Sequence, residues 1–295
     1  MINGKVDSPD LKTVTADGME LAVWEWPGEA PALLFAHATG LHGRCWDRIV
    51  RMFPGRRCVA VDFRGHGRSA KPAPPCHWTA FHRDLEAVVE RLGLEGAMGI
   101  GHSMGGHSVV AAARCFAALL LVDPTIFPEG SYGGTGFDAS FIRRRRNRWK
   151  SPEEMFERFR DRAPFASWQP EVLRDYCEFG LAPDGGGFVL ACPPEVEASI
   201  YEHSREREAS LYAAIPYVTQ PVTVMRAGVE PVPGVFNLAA SPTAPDLARK
   251  FPHGRDVFLS GRNHFIPMEW PELVAEEIAR IISDRTRQRG ESARP

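Results

Sequence analysis

Short apolar runs recur along this chain, and between most of them the apolar positions fall every three to four residues. Residues 31–36 (Pro-Ala-Leu-Leu-Phe-Ala), 57–61, 96–101 and 117–122 are nearly continuous apolar runs, too short for helices and suited to strands buried on both faces. Residues 11–15 and 20–26 are β-rich and are split by Ala16-Asp17-Gly18, a turn signal that predicts a hairpin. Phe81, Leu85, Val88, Val89 and Leu92 lie at helical spacing within residues 80–93. Residues 106–114 read as a second helix. Strand patterning returns at 221–225 and 256–260, and Leu273, Val274, Ile278 and Ile281 form one apolar face of a closing helix over 271–282.

Residues 127–216 break this rhythm. They carry Gly/Ser-rich turns, an arginine run at 143–146, and amphipathic helices predicted over 152–159, 170–179 and 194–202. Strands that alternate with helices on either side of such an insertion predict an α/β fold: a doubly wound, mostly parallel sheet with helices on both faces. The insertion leaves from the carboxyl end of the sixth strand, the edge at which sheets of this kind bind ligands. Residues 1–126 and 217–295 are therefore expected to form a core domain, and 127–216 a helical cap over its site.

Composition narrows the function. The chain has 295 residues and a formal net charge of −2, which gives no electrostatic case for nucleic acid or a membrane surface. No apolar run approaches the ~20 residues that span a bilayer. The first residues are polar and carry no signal-like apolar segment, so the expected location is cytoplasmic. The six cysteines, Cys45, Cys58, Cys76, Cys115, Cys177 and Cys192, form no C-x-x-C pair, which argues against a metal or redox role. Cys45 is the one candidate for a reactive thiol near a pocket.

The chemistry concentrates at Gly101-His102-Ser103-Met104-Gly105, a G-x-S-x-G match. A strand-like segment precedes it and a helix-like one follows, the context that a nucleophile elbow needs. A sharp turn there pushes the serine out at the top of the sheet, and a helix starting at the serine aims free N–H groups at an incoming oxyanion. A serine hydroxyl is inert at neutral pH without a base within reach, so a histidine is required. His102 and His107 are too close in sequence to reach round to Ser103.

Four blocks, in order, resemble the α/β-hydrolase superfamily over nearly the whole chain. They are His37-Ala38-Thr39-Gly40, Asp62-Phe63-Arg64-Gly65-His66-Gly67-Arg68-Ser69, the elbow, and Gly261-Arg262-Asn263-His264-Phe265-Ile266-Pro267. The resemblance implies the α/β-hydrolase fold with a cap after the sixth strand, a Ser-His-acid triad, and no cofactor. The family usually has His-Gly where this chain has His37-Ala38. Ser103 is then the nucleophile and His264 the base, with the backbone N–H groups of Thr39 and Met104 as the oxyanion hole. The acid has two candidates. Asp123 ends the sixth strand, a position some members use; Glu230 follows the seventh, near the commoner place, where position 231 is proline. His37, His42, Trp149 and Trp168 are candidate pocket residues, although His37 is expected to hydrogen-bond to its own loop and shape the oxyanion turn, and His42 could equally be structural. Arg64 and His66 are expected to brace the neighbouring loop, Trp46 to lie in the core, and the 143–146 arginines to form a solvated face of the cap.

The expected reaction is hydrolysis of a small to medium hydrophobic carboxylic ester or lactone through an acyl-enzyme, with no metal. Amide, thioester or carbon–carbon bond hydrolysis would use the same residues. A silent small-molecule receptor is the rival from outside enzymology. Serine at the elbow argues against haloalkane dehalogenase or epoxide hydrolase chemistry.

Overall fold

The computed structural model describes residues 8–134, 137–232 and 237–292. In chain order the strands are β1 (Asp10–Ala16), β2 (Met19–Trp26), β3 (Glu29–Ala36), β4 (Arg56–Val61), β5 (Ala97–His102), β6 (Phe116–Val122), β7 (Arg148–Trp149), β8 (Leu181–Asp184), β9 (Gly187–Leu190), β10 (Val222–Ala227) and β11 (Gly254–Leu259). The helices are α1 (Asp47–Val50), α2 (Phe81–Leu92), α3 (Met104–Ala111), α4 (Ser140–Arg143), α5 (Pro152–Phe159), α6 (Pro170–Phe179), α7 (Pro194–Glu202), α8 (Leu247–Lys250), α9 (Ile266–Glu269) and α10 (Pro271–Ser292).

Eight strands form one sheet in the order β1-β2-β4-β3-β5-β6-β10-β11. The β1–β2 and β2–β4 pairs are antiparallel; every other pair is parallel. This is the α/β-hydrolase fold. The period of two sorts the central strands between two apolar layers. Leu34, Val59, Val61, Leu119 and Leu121 face α2 and α3, meeting Phe81, Leu85, Val88 and Val109. Leu33, Phe35, Ala60, Leu120 and Val122 face α1 and α10, meeting Ile49, Val50, Val274 and Ile278. Each fully buried aliphatic side chain contributes about 1.5–3 kcal/mol. The continuous apolar runs of the sequence are therefore strands with helices on both sides.

The segment between β6 and β10 holds α4 to α7 and a feature the sequence did not announce, a three-stranded antiparallel sheet in the order β7-β9-β8. Its strands are too short to show a period. Helix α5 starts where the sequence dictates: the Ser151 side chain accepts from the Glu154 N–H at 3.1 Å, and Pro152 follows at the first helical position. A third apolar cluster packs this segment onto the carboxyl edge of the large sheet. It joins Trp149, Met155, Phe156, Trp168, Val172, Leu173 and Tyr176 to Ala38, Leu41, Phe265 and Met268. Phe165 and Phe159 pack against the same cluster. The arginines at 143, 145 and 146 are braces within the segment: Arg143 pairs with Glu195 and Glu202, Arg145 with Glu197, and Arg146 with Glu154.

Candidate active site

Ser103 sits between β5 and α3 with φ +55° and ψ −117°, a conformation that L residues rarely adopt. Three backbone hydrogen bonds hold it there: its N–H donates to the Val122 carbonyl (3.1 Å), and its carbonyl accepts from the Thr125 N–H (3.0 Å) and the His107 N–H (3.2 Å). The strain is accommodated because the helix crosses so close to the strands. A Cβ at Gly101 would overlap the Gly105 carbonyl, and one at Gly105 would overlap that of Ala36.

Asp123 follows β6, also at positive φ (+43°), and is fully buried. Its Oδ2 accepts from His264 Nδ1 at 2.7 Å. Its Oδ1 accepts from the Ala227 N–H (2.9 Å), Ser241 Oγ (2.6 Å) and Thr243 Oγ1 (3.1 Å). Burial alone would raise this carboxyl's pKa. The hydrogen bonds from His264, Ser241 and Ala227 outweigh it and hold the group below the usual carboxylate range. Strand β10 lies between β6 and β11, and its Ala227 N–H bridges the gap across which Asp123 meets the loop after β11. Glu230, the other acid candidate, is exposed beyond β10. The structure thus brings Asp123, not Glu230, to His264.

His264 is fixed from two further directions. Its N–H donates to the Ala239 carbonyl (2.9 Å), and its carbonyl accepts from His102 Nε2 at 2.8 Å. His102 is buried, and burial pushes its pKa down to about 3, so it serves as a neutral donor. The Ser103 hydroxyl does not bond to His264 in this structure. It shares a hydrogen bond of 2.9 Å with Thr125 Oγ1. Ser103 and His264 are only 7% and 8% exposed.

A model of the alpha/beta hydrolase family matches residues 33–280. The chain belongs to the alpha/beta hydrolase family. It is 26% identical to 2-(acetamidomethylene)succinate hydrolase of Mesorhizobium japonicum, over 86% of this chain and 89% of that one. It is 40% identical to the bifunctional esterase/perhydrolase of Acinetobacter calcoaceticus, over 32% of this chain and 36% of that protein. The match to that relative therefore spans about a third of its length. Among solved structures, E-2-(acetamidomethylene)succinate hydrolase superposes with a TM-score of 0.74 at 20% identity, covering 93% of this chain and 99% of that one.

Around the Ser–His–Asp group, this alpha/beta hydrolase builds its loops from buried polar residues. Thr39 and Met104, one on the loop after β3 and one at the start of α3, touch through Thr39 Oγ1 and Met104 Sδ at 3.4 Å. His37 takes the loop-shaping place expected of it rather than a place in the pocket. It is 1% exposed, Nδ1 donates to the Ala38 carbonyl (2.7 Å) and Nε2 accepts from the Phe63 N–H (3.0 Å), so both ring nitrogens hold loops together. His66 does likewise: it accepts from the Gly40 N–H at 3.1 Å, donates to the Arg64 carbonyl, and stays neutral because burial lowers its pKa to about 3. Asp62, which the sequence reading passed over, gathers Gly43 N–H (2.6 Å), Arg68 N–H (2.9 Å) and Trp24 Nε1 (3.2 Å). Arg64 braces the same loop through Asp84.

His42 is buried, stacks on Tyr176 and bonds its carbonyl through Nε2 at 3.2 Å. It borders a cavity of about 10 Å³, room for about one water, together with Arg145, Tyr176 and Cys192. Trp149 is buried against Phe159, with the Arg146 guanidinium over its ring. Trp168 is buried between Tyr176 and Phe265, next to His264. Of the four candidate pocket residues, Trp168 is thus the one packed on the immediate neighbour of His264, while His37 and Trp149 are packing elements. Cys45 is buried beside His42, and burial pushes its thiol pKa far up, which disfavours a reactive thiolate. Trp46 lies in the core against Phe35. Among the described residues no helix is long and apolar enough to cross a membrane.

Besides Asp62, sequence reasoning missed three polar residues: Thr125, Ser241 and Thr243. Thr125 had a signal, two residues after Asp123 at the end of an apolar strand. Ser241 and Thr243 lie in a loop with no pattern, more than a hundred residues from the carboxylate they bond.

Proposed function

We propose that this alpha/beta hydrolase cleaves a carboxylic ester or lactone of a small to medium hydrophobic substrate through an acyl-enzyme on Ser103. The observation that carries this reading is the 2.7 Å hydrogen bond from His264 Nδ1 to a buried, charged Asp123. It fixes the tautomer that leaves Nε2 free as a base. Ser103 rotates from Thr125 toward that nitrogen, gives up its proton and attacks the carbonyl carbon. The oxyanion is taken by the N–H groups of Met104 and Thr39, each contributing about 3 kcal/mol. His264 protonates the leaving alcohol, and water then attacks the acyl-enzyme with His264 again as base. Asp123 stabilises the imidazolium in both halves.

The aromatic layer of Trp168, Phe165 and Phe265 beside His264 supports an apolar acyl or alcohol group. With both reacting residues under a tenth exposed, substrate reaches them as the segment between β6 and β10 moves from the sheet edge. A second reading, hydrolysis at an amide-type bond by the same residues, is favoured by the near full-length relationship to 2-(acetamidomethylene)succinate hydrolase.

The test begins with a fluorophosphonate probe, which should label the wild type and not Ser103→Ala. A panel of p-nitrophenyl esters of increasing chain length, lactones and N-acyl amides then separates the readings. Absence of labelling together with absence of turnover on every class would overturn hydrolysis and leave the silent receptor.

A further inference from the structure

Three side chains capable of ligating a metal converge far from Ser103 in sequence and role: His77, in the loop before α2, and His203 and Glu206, just after α7. One donor atom from each lies within 4.8 Å of the others. His77 Nδ1 is 2.8 Å from Glu206 Oε2, and His203 Nε2 is 3.8 Å from Glu206 Oε1. Donors on a tetrahedral Zn²⁺ at about 2.0–2.1 Å stand about 3.3 Å apart, so small rotations of these side chains would seat the ion.

We propose that His77, His203 and Glu206 form a Zn²⁺ site that clips the segment between β6 and β10 to the large-sheet core. Three observations carry it. The first is tautomer control: His203 Nδ1 donates to the Ser199 carbonyl at 2.6 Å, which leaves Nε2 as the lone-pair nitrogen facing Glu206. A backbone carbonyl behind a ligating histidine is the arrangement that orients metal ligands. The second is preorganisation. Both neighbours of His77 are tied to the helix that leads to His203: the Cys76 N–H donates to Ser199 Oγ (2.9 Å) and Trp78 Nε1 donates to the Ile200 carbonyl (2.7 Å). Much of the ordering that binding would require is already present. The third is ring placement, with the two imidazoles 4.8 Å apart at 79°, so that they present edges rather than stacked faces.

The donor set narrows the ion. Two imidazoles and one carboxylate suit Zn²⁺ and other imidazole-binding transition metals such as Fe²⁺, whereas Ca²⁺ and Mg²⁺ take mainly oxygen ligands. Zn²⁺, redox-inert and at home in four-coordinate sites, is the probe of choice. Water would fill the fourth position, since the His77 side chain is half exposed.

The experiment titrates the full chain with ZnCl₂ alone, by calorimetry and by thermal melting. The wild type should bind one Zn²⁺ per chain and melt at higher temperature as zinc rises, by the linkage of binding to folding. His77→Ala and His203→Ala should each raise Kd at least tenfold and abolish the zinc-dependent shift in Tm. Because His77 is half exposed, its removal leaves the core packing intact, and His77→Gln serves as a second check. Zinc binding that persists undiminished in these variants, for instance on a thiol, overturns the proposal, as does a wild type that takes up no stoichiometric zinc.

Discussion

Ser103 Oγ and Thr125 Oγ1 share a hydrogen bond of 2.9 Å, and it stands where a Ser103–His264 bond would be needed for proton transfer. If Ser103 is the nucleophile, its side chain must leave Thr125 before it attacks. Losing one neutral hydrogen bond costs about 0.5–1.5 kcal/mol. Thr125→Val removes that competitor at nearly constant volume, so kcat should rise, by up to about tenfold, with ester turnover measured at saturating substrate. A fall of more than a hundredfold would mean instead that the Thr125 hydroxyl takes part in the reaction.

The two acids make opposite predictions. Asp123→Asn keeps the volume but replaces the charged acceptor that holds the His264 tautomer. The loss in kcat should be of the order of 10⁴, the size seen for the equivalent change in a serine protease. Glu230→Gln alters an exposed group and should leave kcat within about twofold. Reversal of that order, in steady-state kinetics of the two variants, would move the acid role to Glu230.

The elbow also makes a stability prediction. A methyl group at Gly105 would run into the carbonyl of Ala36 on β3, and neither backbone can retreat without breaking the sheet or α3. Gly105→Ala should destabilise by more than about 3 kcal/mol, at the far end of what single substitutions do. Gly130→Ala meets open space and should leave the midpoint of urea unfolding almost unchanged. Equal midpoints for the two variants would show that the elbow relaxes more than its close packing implies.

What the sequence carried was whatever repeats locally. Buried parallel strands are runs such as 117–122, and α2 shows its inward face every three to four residues, so the sheet and its helices were legible. The Gly–Ser–Gly turn was legible because backbone crowding permits few residues there. Long-range polar partners were not. Nothing in Ser241 or Thr243 says that each donates to Asp123 Oδ1, because a hydrogen bond across more than a hundred residues leaves no local period. His37 was legible in part. Its motif suggested a bond within its own loop, which Ala38 provides, but not that its other ring nitrogen would accept from Phe63 on a different loop. The three-strand sheet was invisible because two to four residues per strand cannot establish alternation.

Buried neutral histidines should dominate the response to acid. His66 and His102 are pushed down to about 3 and His107 to about 4, in each case chiefly by burial. The unfolded chain protonates these imidazoles near 6.5, so between 6.5 and the folded values it binds more protons than the native state. Their contribution is therefore complete above pH 6.5 and is lost as pH falls toward 3 or 4. At pH 5 each imidazole costs about 2 kcal/mol and the three together roughly 6, comparable with the whole stability of a typical domain. Urea unfolding at pH 7, 6 and 5 should show this fall. His107 gives the sharpest check because its imidazole is directed at Ala209 and Trp78, with Nε2 donating to the Ala209 carbonyl at 2.7 Å and its ring edge-on to Trp78. His107→Gln can keep that donor while removing the titration. Between pH 6 and pH 5 its stability should fall by about 1 kcal/mol less than that of the wild type, a little under one proton's worth. An unchanged slope in that variant would mean that His107 already carries its proton in the native state.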